Sequence, residues 1–282
     1  MYPFTLHLFP YLCVLPRCSM SILDQIISQK RIEVQAAKAA NRLEVLEESP
    51  YFSRTTISLK ERLVRGGSPG IIAEFKRKSP SKGWIYPDAD VRTVVSGYES
   101  SGAAGISVLT DSTFFGGSKE DLLAARAAAP NTPLLRKDFM IDPYQMHEAK
   151  AWGADVILLI AANLSPEQID SLGKAAHALG LEVLLEVHDA EELKSSPLAH
   201  VDIIGVNNRN LKNFAENNVK ASLDLVELLP KDKPKISESC ISASETVKEL
   251  YAVGFQGFLM GENFMKTAVP GETLSQFKSE LL

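Results

Sequence analysis

Residues Ile71–Gly83 read IIAEFKRKSPSKG, an apolar run that turns within a few positions into four cations and one carboxylate. So aliphatic a run suits a strand buried on both faces of a parallel sheet. Side chains two apart in a strand point the same way, which puts Glu74, Lys76 and, where the strand continues, Lys78 on one face, with Phe75 and Arg77 on the other. The charged end of such a strand is costly to bury unless its groups are paired or used.

The pattern recurs downstream in GISVLT (105–110), PLLRKDF (133–139), DVILLIA (155–161), EVLLEVH (182–188), DIIGVNN (202–208), PKISES (234–239) and GFLMG (257–261). Helix-like segments such as SPEQIDSLGKAAHALG (165–180) and SASETVKELYAVG (242–254) lie between them. Strand-to-strand spacing of about 20 to 35 residues fits one strand, one helix and two loops. Eight such units predict a (β/α)8 TIM barrel within the α/β class. A doubly wound open sheet is the alternative, but no glycine-rich dinucleotide fingerprint follows the first strand. Ahead of the barrel, Ile22 to about Leu46 predicts one long amphipathic helix, and SLKERLVRG (58–66) a second, shorter one. No linker divides residues 21–282, which read as a single domain. Residues 1–20, MYPFTLHLFPYLCVLPRCSM, are apolar, aromatic and broken by Pro3, Pro10 and Pro16. With no cationic start before the apolar part, they read as a non-native or disordered extension rather than a signal peptide, Met20 being the natural start.

Thirty basic residues against 35 acidic ones give a net charge of −5, which argues against nucleic acid as an obligatory partner. A cationic island in an acidic chain suits a small anionic ligand better than a polyanion. Cys13, Cys18 and Cys240 form neither a disulfide framework nor a metal-binding spacing, in keeping with a reducing cytoplasm. No apolar run approaches the roughly 20 residues of a membrane span. A monomer or weak homo-oligomer is expected.

Barrel enzymes work at the C-terminal ends of their strands. There the sequence sets Glu74, Lys76 and Lys78, then Lys137 and Asp138, Glu186, Asn207 and Arg209, and Glu238 with Ser239. Any one pair could be a salt bridge sealing the mouth; the whole set, of both signs, predicts a site. Barrels often hold phosphate after strands seven and eight, at the start of a short helix. Gly261, Ser239, Lys78 and Ser79 are candidates for that, with Glu262 turning its side chain away and offering its N–H. In DSTFFGGSKED (111–121), Phe115 is a candidate wall for a flat aromatic ligand.

Seven of these segments, from IIAEFKRKSPSKG through SVLTDSTFFGGS, LLRKDF, LLEVH, IGVNNRNL and ISES to FLMGE, together resemble the indole-3-glycerol phosphate synthase family from about Ile22 to the C-terminus. The resemblance implies a cofactor-free and metal-free ring closure. A carboxyphenylamino-deoxyribulose phosphate, a phosphorylated small molecule, would lose carbon dioxide and water to give indole-3-glycerol phosphate. It also implies roles: Lys137 as general acid, Lys76 on the substrate carboxylate, Glu186 as general base and Glu74 orienting the network. Asn207 and Arg209 would bond the substrate and brace the carboxylates, Glu238 would brace further, and Phe115, Phe139 and Leu158 would line the aromatic pocket.

One position departs from the family. SESC ends in Cys240 where the family usually has glycine, facing the phosphate. If that position needs a positive φ, the cysteine is strained by roughly 1–3 kcal/mol. Rival readings are a Schiff-base aldolase, since barrel lysines also form imines, a phosphoribosylanthranilate isomerase, and a phosphate-binding scaffold without catalysis.

Overall fold

The computed structural model of the protein describes residues 20–209 and 218–281. The expected extension over residues 1–20, with Cys13 and Cys18, therefore lies, Met20 apart, outside the described residues. Parallel strands β1 (Gly70–Phe75), β2 (Gly105–Leu109), β3 (Leu134–Lys137), β4 (Val156–Ile160), β5 (Glu182–Val187), β6 (Ile203–Asn207), β7 (Lys235–Glu238) and β8 (Gly257–Met260) close a barrel in chain order. The seam is made by β8 on β1, with Gly70 opposite Gly257 and Ala73 opposite Met260. This is the (β/α)8 barrel expected from the alternation of aliphatic runs and helical segments.

Strand parity divides the barrel into two cores. Ile72, Leu135, Val156, Leu158, Leu184, Ile203, Ile236 and Leu259 fill the interior, and Leu59 and Leu63 of α3 (Leu59–Arg65) pack with them. The intervening residues, such as Ile71, Ala73, Val183, Leu185 and Phe258, pack against the outer helices. Two residues beyond Ile72, Leu135, Leu184 and Ile236 come Glu74, Lys137, Glu186 and Glu238, so period-two alternation aims all four charged side chains into the barrel mouth. The site is thus the top layer of the barrel interior.

The N-terminal segment is two helices rather than the single one expected. Ser21 caps α1 (Ile22–Ala40) in a reciprocal box with Asp24, and the chain is extended at Asn41 before α2 (Leu43–Glu47). The break has a tertiary cause: the Tyr144 hydroxyl lies 3.1 Å from the Ala37 carbonyl and 2.9 Å from that of Asn41, engaging groups at the helix end. Among the described residues, no helix is long and apolar enough to cross a membrane.

Candidate active site

A cavity of about 450 Å³ opens at the C-terminal ends of the strands, lined by every sequence-predicted site residue except Lys78. On its floor the Lys76 ammonium lies 2.5 Å from Glu74 Oε1, and the Lys137 ammonium lies 2.5 Å from Glu238 and 3.4 Å from Glu186. Asn207 donates its amide to Glu186 Oε1 at 3.0 Å. Sheet register produces this convergence, since Glu186 lies opposite Gly205, and Asn207 opposite Glu238. A Cβ at position 205 would meet Glu238 Oε1 at 2.6 Å, so any other residue there would make that carboxylate shift.

Burial and charge pull these groups in opposite directions. Burial opposes the Lys137 charge, yet Glu238, Glu186 and Glu74 outweigh it and hold the ammonium above the ordinary lysine range. Burial would likewise raise Glu186, but Lys137, His188 and Asn207 hold its carboxyl below the usual carboxylate range. Glu74 is also held low, against its burial, by Lys76 and Lys137. Glu238 goes the other way: burial drives it up to about 7 despite Lys137, and neighbouring Glu186 adds to the rise.

Beside the floor, Phe115 and Phe139 stand with ring centroids 6.0 Å apart, tilted by 39°, and Leu158 lines the cavity with them. On the other side, Ser239 and Cys240 both take left-handed backbone conformations, with φ of 66° and 61°. The Asn208 amide steadies this turn by donating to the carbonyls of Glu238 and Ser239 at 3.0 and 3.2 Å. The positive φ considered for position 240 is therefore present, and Cys240 occupies it without glycine's freedom. Gly261 lines the cavity as well. Its φ is −131°, which any residue adopts, but a Cβ there would meet Glu74 Oε1 at 2.8 Å. Glu262 begins the short helix that follows, its carboxylate half-exposed and 3.9 Å from Lys82.

Two expectations need correction. Lys78 does not share the face of Glu74 and Lys76, because β1 ends at Phe75 and Lys78 pairs instead with Trp84 in a short antiparallel hairpin. Its ammonium donates to the Thr113 carbonyl at 3.0 Å and lies over the Trp84 ring. Ser79, one residue on, is buried and does line the cavity. Arg209 braces no carboxylate among the described residues; its guanidinium donates to Ser81 at 3.1 Å.

Several lining residues escape the sequence reading. Ile22, Leu23 and Ile26 bring α1 over the mouth, and buried Lys30 anchors that helix with ion pairs to Asp111 at 3.1 Å and Asp138 at 2.9 Å. Asp138 also pairs with Arg136 at 3.0 Å. Nothing in an amphipathic helix marks one lysine among several as buried. His188 also lines the cavity, with Nε2 3.5 Å from Glu186 Oε1. Parity could have found it, two residues beyond Glu186.

The chain is similar to known proteins over most of its length. The family model described as indole-3-glycerol phosphate synthase matches residues 23–277. The indole-3-glycerol phosphate synthase of Bacteroides thetaiotaomicron is 50% identical over 256 residues, covering 91% of this chain and 97% of that one. The enzyme of the same name from Salinibacter ruber is 43% identical over 262 residues, covering 93% and 96%. Among solved structures, KGPDC from Streptococcus mutans superposes with a TM-score of 0.58 at 14% identity, over 76% of this chain and 97% of that one. Thiamine phosphate pyrophosphorylase from Pyrococcus furiosus gives 0.57 at 13% identity, over 79% and 98%. At those identities the likeness is one of fold alone.

Proposed function

Given that the chain belongs to the indole-3-glycerol phosphate synthase family, which closes the indole ring in tryptophan biosynthesis with loss of carbon dioxide and water, we propose how its residues divide that work. Lys137 gives a proton to the sugar carbonyl as the ring carbon attacks it. Lys76, oriented by Glu74, holds the substrate carboxylate until it leaves. Glu186, aligned by Asn207, takes the proton released in dehydration, and Glu238 fixes Lys137. Phe115, Phe139 and Leu158 press the anthranilate ring toward the carbonyl, the positioning share of the rate. The phosphate is assigned to Ser79, Ser239 and the Cys240 turn, with the free N–H groups that open the Glu262–Met265 helix. Arg209 and Ser81 close that side. Lys78 is left out, since Thr113 engages its ammonium.

The observation that carries this reading is Lys137, shared between carboxylates of β5 and β7 at the floor of a cavity with an aromatic wall on one side. A cation preset where negative charge grows in a dry site is a large catalytic contribution. It also weighs against the Schiff-base reading, because an imine-forming lysine must shed its proton and Lys137 is held protonated. The test is to mix purified chain with 1-(2-carboxyphenylamino)-1-deoxyribulose 5-phosphate and follow indole fluorescence. The wild type should turn over, and Lys137→Ala should bind without turnover. Substantial activity in Lys137→Ala would reject the general-acid assignment, and a borohydride-trapped adduct on Lys137 or Lys76 would favour the aldolase.

The acidic charge balance supports a chain that acts on this small phosphorylated molecule without nucleic acid. Cytoplasmic residence and a monomeric or weakly associating state complete the proposal, and light scattering across concentrations tests the latter.

A further inference from the structure

The reaction proposed above has a proton balance that the site must meet. The substrate carboxylate leaves as neutral carbon dioxide, and the carbonyl oxygen leaves as water, which requires two protons. The methylene beside the nitrogen returns only one. Each turnover therefore draws one proton from solvent into a buried site. The floor is built to hold an extra proton, since three carboxylates, Glu74, Glu186 and Glu238, face two lysines, Lys76 and Lys137.

One side of the floor leads outward. His188 Nε2 lies 3.5 Å from Glu186 Oε1, and its Nδ1 lies 3.1 Å from Glu192 Oε2. Glu192 also accepts the His188 backbone N–H at 2.8 Å, which fixes carboxylate and ring relative to each other. Asp189 steadies the far end by accepting the N–H of Glu192 at 2.9 Å. Side-chain exposure rises along the row, from 6% at Glu186 through 13% at His188 to 21% at Glu192. At the inner end, Glu186 is 3.4 Å from Lys137.

We propose that Glu192, His188 and Glu186 form the path by which the solvent proton reaches Lys137. This rests on the ring-closure reading above. Glu192 takes the proton from water; the imidazole accepts it at Nδ1 and releases one from Nε2 to Glu186, which passes it to Lys137. Only O–H and N–H bonds break and form, and one positive charge moves inward. His188 acts through Glu186 and does no chemistry on the substrate. Burial works against charge on the ring, but Glu192, Glu186 and Glu238 hold it above the ordinary imidazole range, so it readily carries the second proton.

The competing role is a clamp between β5 and the Ala190–Ser195 helix, and kinetics separate the two. A path that reloads the acid is not needed for the proton already on Lys137. His188→Gln should therefore complete its first turnover at the wild-type rate while its steady-state rate falls by about 10²-fold, with added imidazole restoring several-fold. A steady-state rate equal to the wild type would overturn the proposal. So would a first turnover slowed in the same proportion with no response to imidazole, the signature of a clamp. Glu192→Gln keeps the acceptor for the His188 N–H but cannot pass a proton. It should show the same split, and an unchanged steady state would overturn the proposal even if His188→Gln failed to fold. Wild-type protein that made no indole would reject the ring-closure reading instead.

Discussion

Lys137 stands nearer to Glu238, at 2.5 Å, than to Glu186, at 3.4 Å. The nearer carboxylate is the one that burial drives up to about 7, whereas Glu186 stays below the usual range. Glu186 therefore stays ionised near neutral pH, available as a base, whereas Glu238 changes its charge there. Glu238 is charged above its raised value and neutral below it, so Lys137 loses its closest anion as the pH falls through neutrality. The kcat/KM of the wild type should thus fall on the acid side of about pH 7. Glu238→Gln, neutral at every pH, should be slow throughout and lack that limb. A variant whose acid limb coincided with that of the wild type would show that another group titrates there.

The two first-strand lysines should respond differently. Lys76→Ala leaves Glu74 buried without its cation and removes the proposed partner of the substrate carboxylate, so kcat/KM should fall by about 10²-fold or more. The Lys78 ammonium holds one exposed carbonyl, a contact worth roughly 1 kcal/mol, and Lys78→Ala should raise KM by less than about fivefold. Steady-state kinetics on both variants decide the matter. A large KM rise with Lys78→Ala would mean that its side chain leaves Thr113 for the phosphate.

What the sequence makes legible here follows from parity. In β1, β3, β5 and β7, a charged residue follows two positions after an interior aliphatic one, so eight aliphatic runs point both to a barrel and to the floor of its site. Parity fails where regular backbone ends. Lys78 lies beyond the end of β1, and a hairpin invisible to alternation turns it away. Long-range packing is equally hidden: the break at Asn41 depends on Tyr144, and the burial of Lys30 depends on Asp111 and Asp138. Glycine is ambiguous as well. Position 261 reads as an anion contact, and nothing in the sequence signals that its glycine also admits the close approach of Glu74.

The left-handed turn at Ser239 and Cys240 stores strain that glycine would relieve. A non-glycine residue in this conformation costs roughly 1–2 kcal/mol, and glycine gives back about 0.5–1 kcal/mol in chain entropy. Cys240→Gly should therefore be stabilised by about 0.5–1 kcal/mol, a rise in Tm of about 1–4 °C. KM should not increase, because the backbone that would meet the phosphate is already in place. Calorimetry measures the first effect. A lower Tm would mean that the thiol, 3.9 Å from the Asn208 carbonyl, contributes more than the strain removes.

The ionic knot beneath α1 gives the protein an acid-sensitive joint. Burial pushes the Asp138 carboxyl up, but Arg136, Lys30 and the Thr110 hydroxyl outweigh it and hold it down at about 2. A carboxyl depressed in the folded state stabilises that state above its unfolded value, and the contribution is lost as pH falls from about 4 to about 2. From 3.8 to about 2, the stabilisation is on the order of 2 kcal/mol. Lys30→Met removes a buried cation while leaving Asp111 and Asp138 behind, at a cost of about 3–5 kcal/mol near neutral pH. Because Asp138 would then be held down less strongly, the variant should lose less further stability than the wild type over that acid window. Since α1 carries Ile22, Leu23 and Ile26 onto the cavity, its loosening should also raise KM more than it lowers kcat. Urea unfolding at a series of pH values, with kinetics at neutral pH, tests both parts. Equal stability of Lys30→Met and wild type at neutral pH would show that the knot is not what holds α1 over the site.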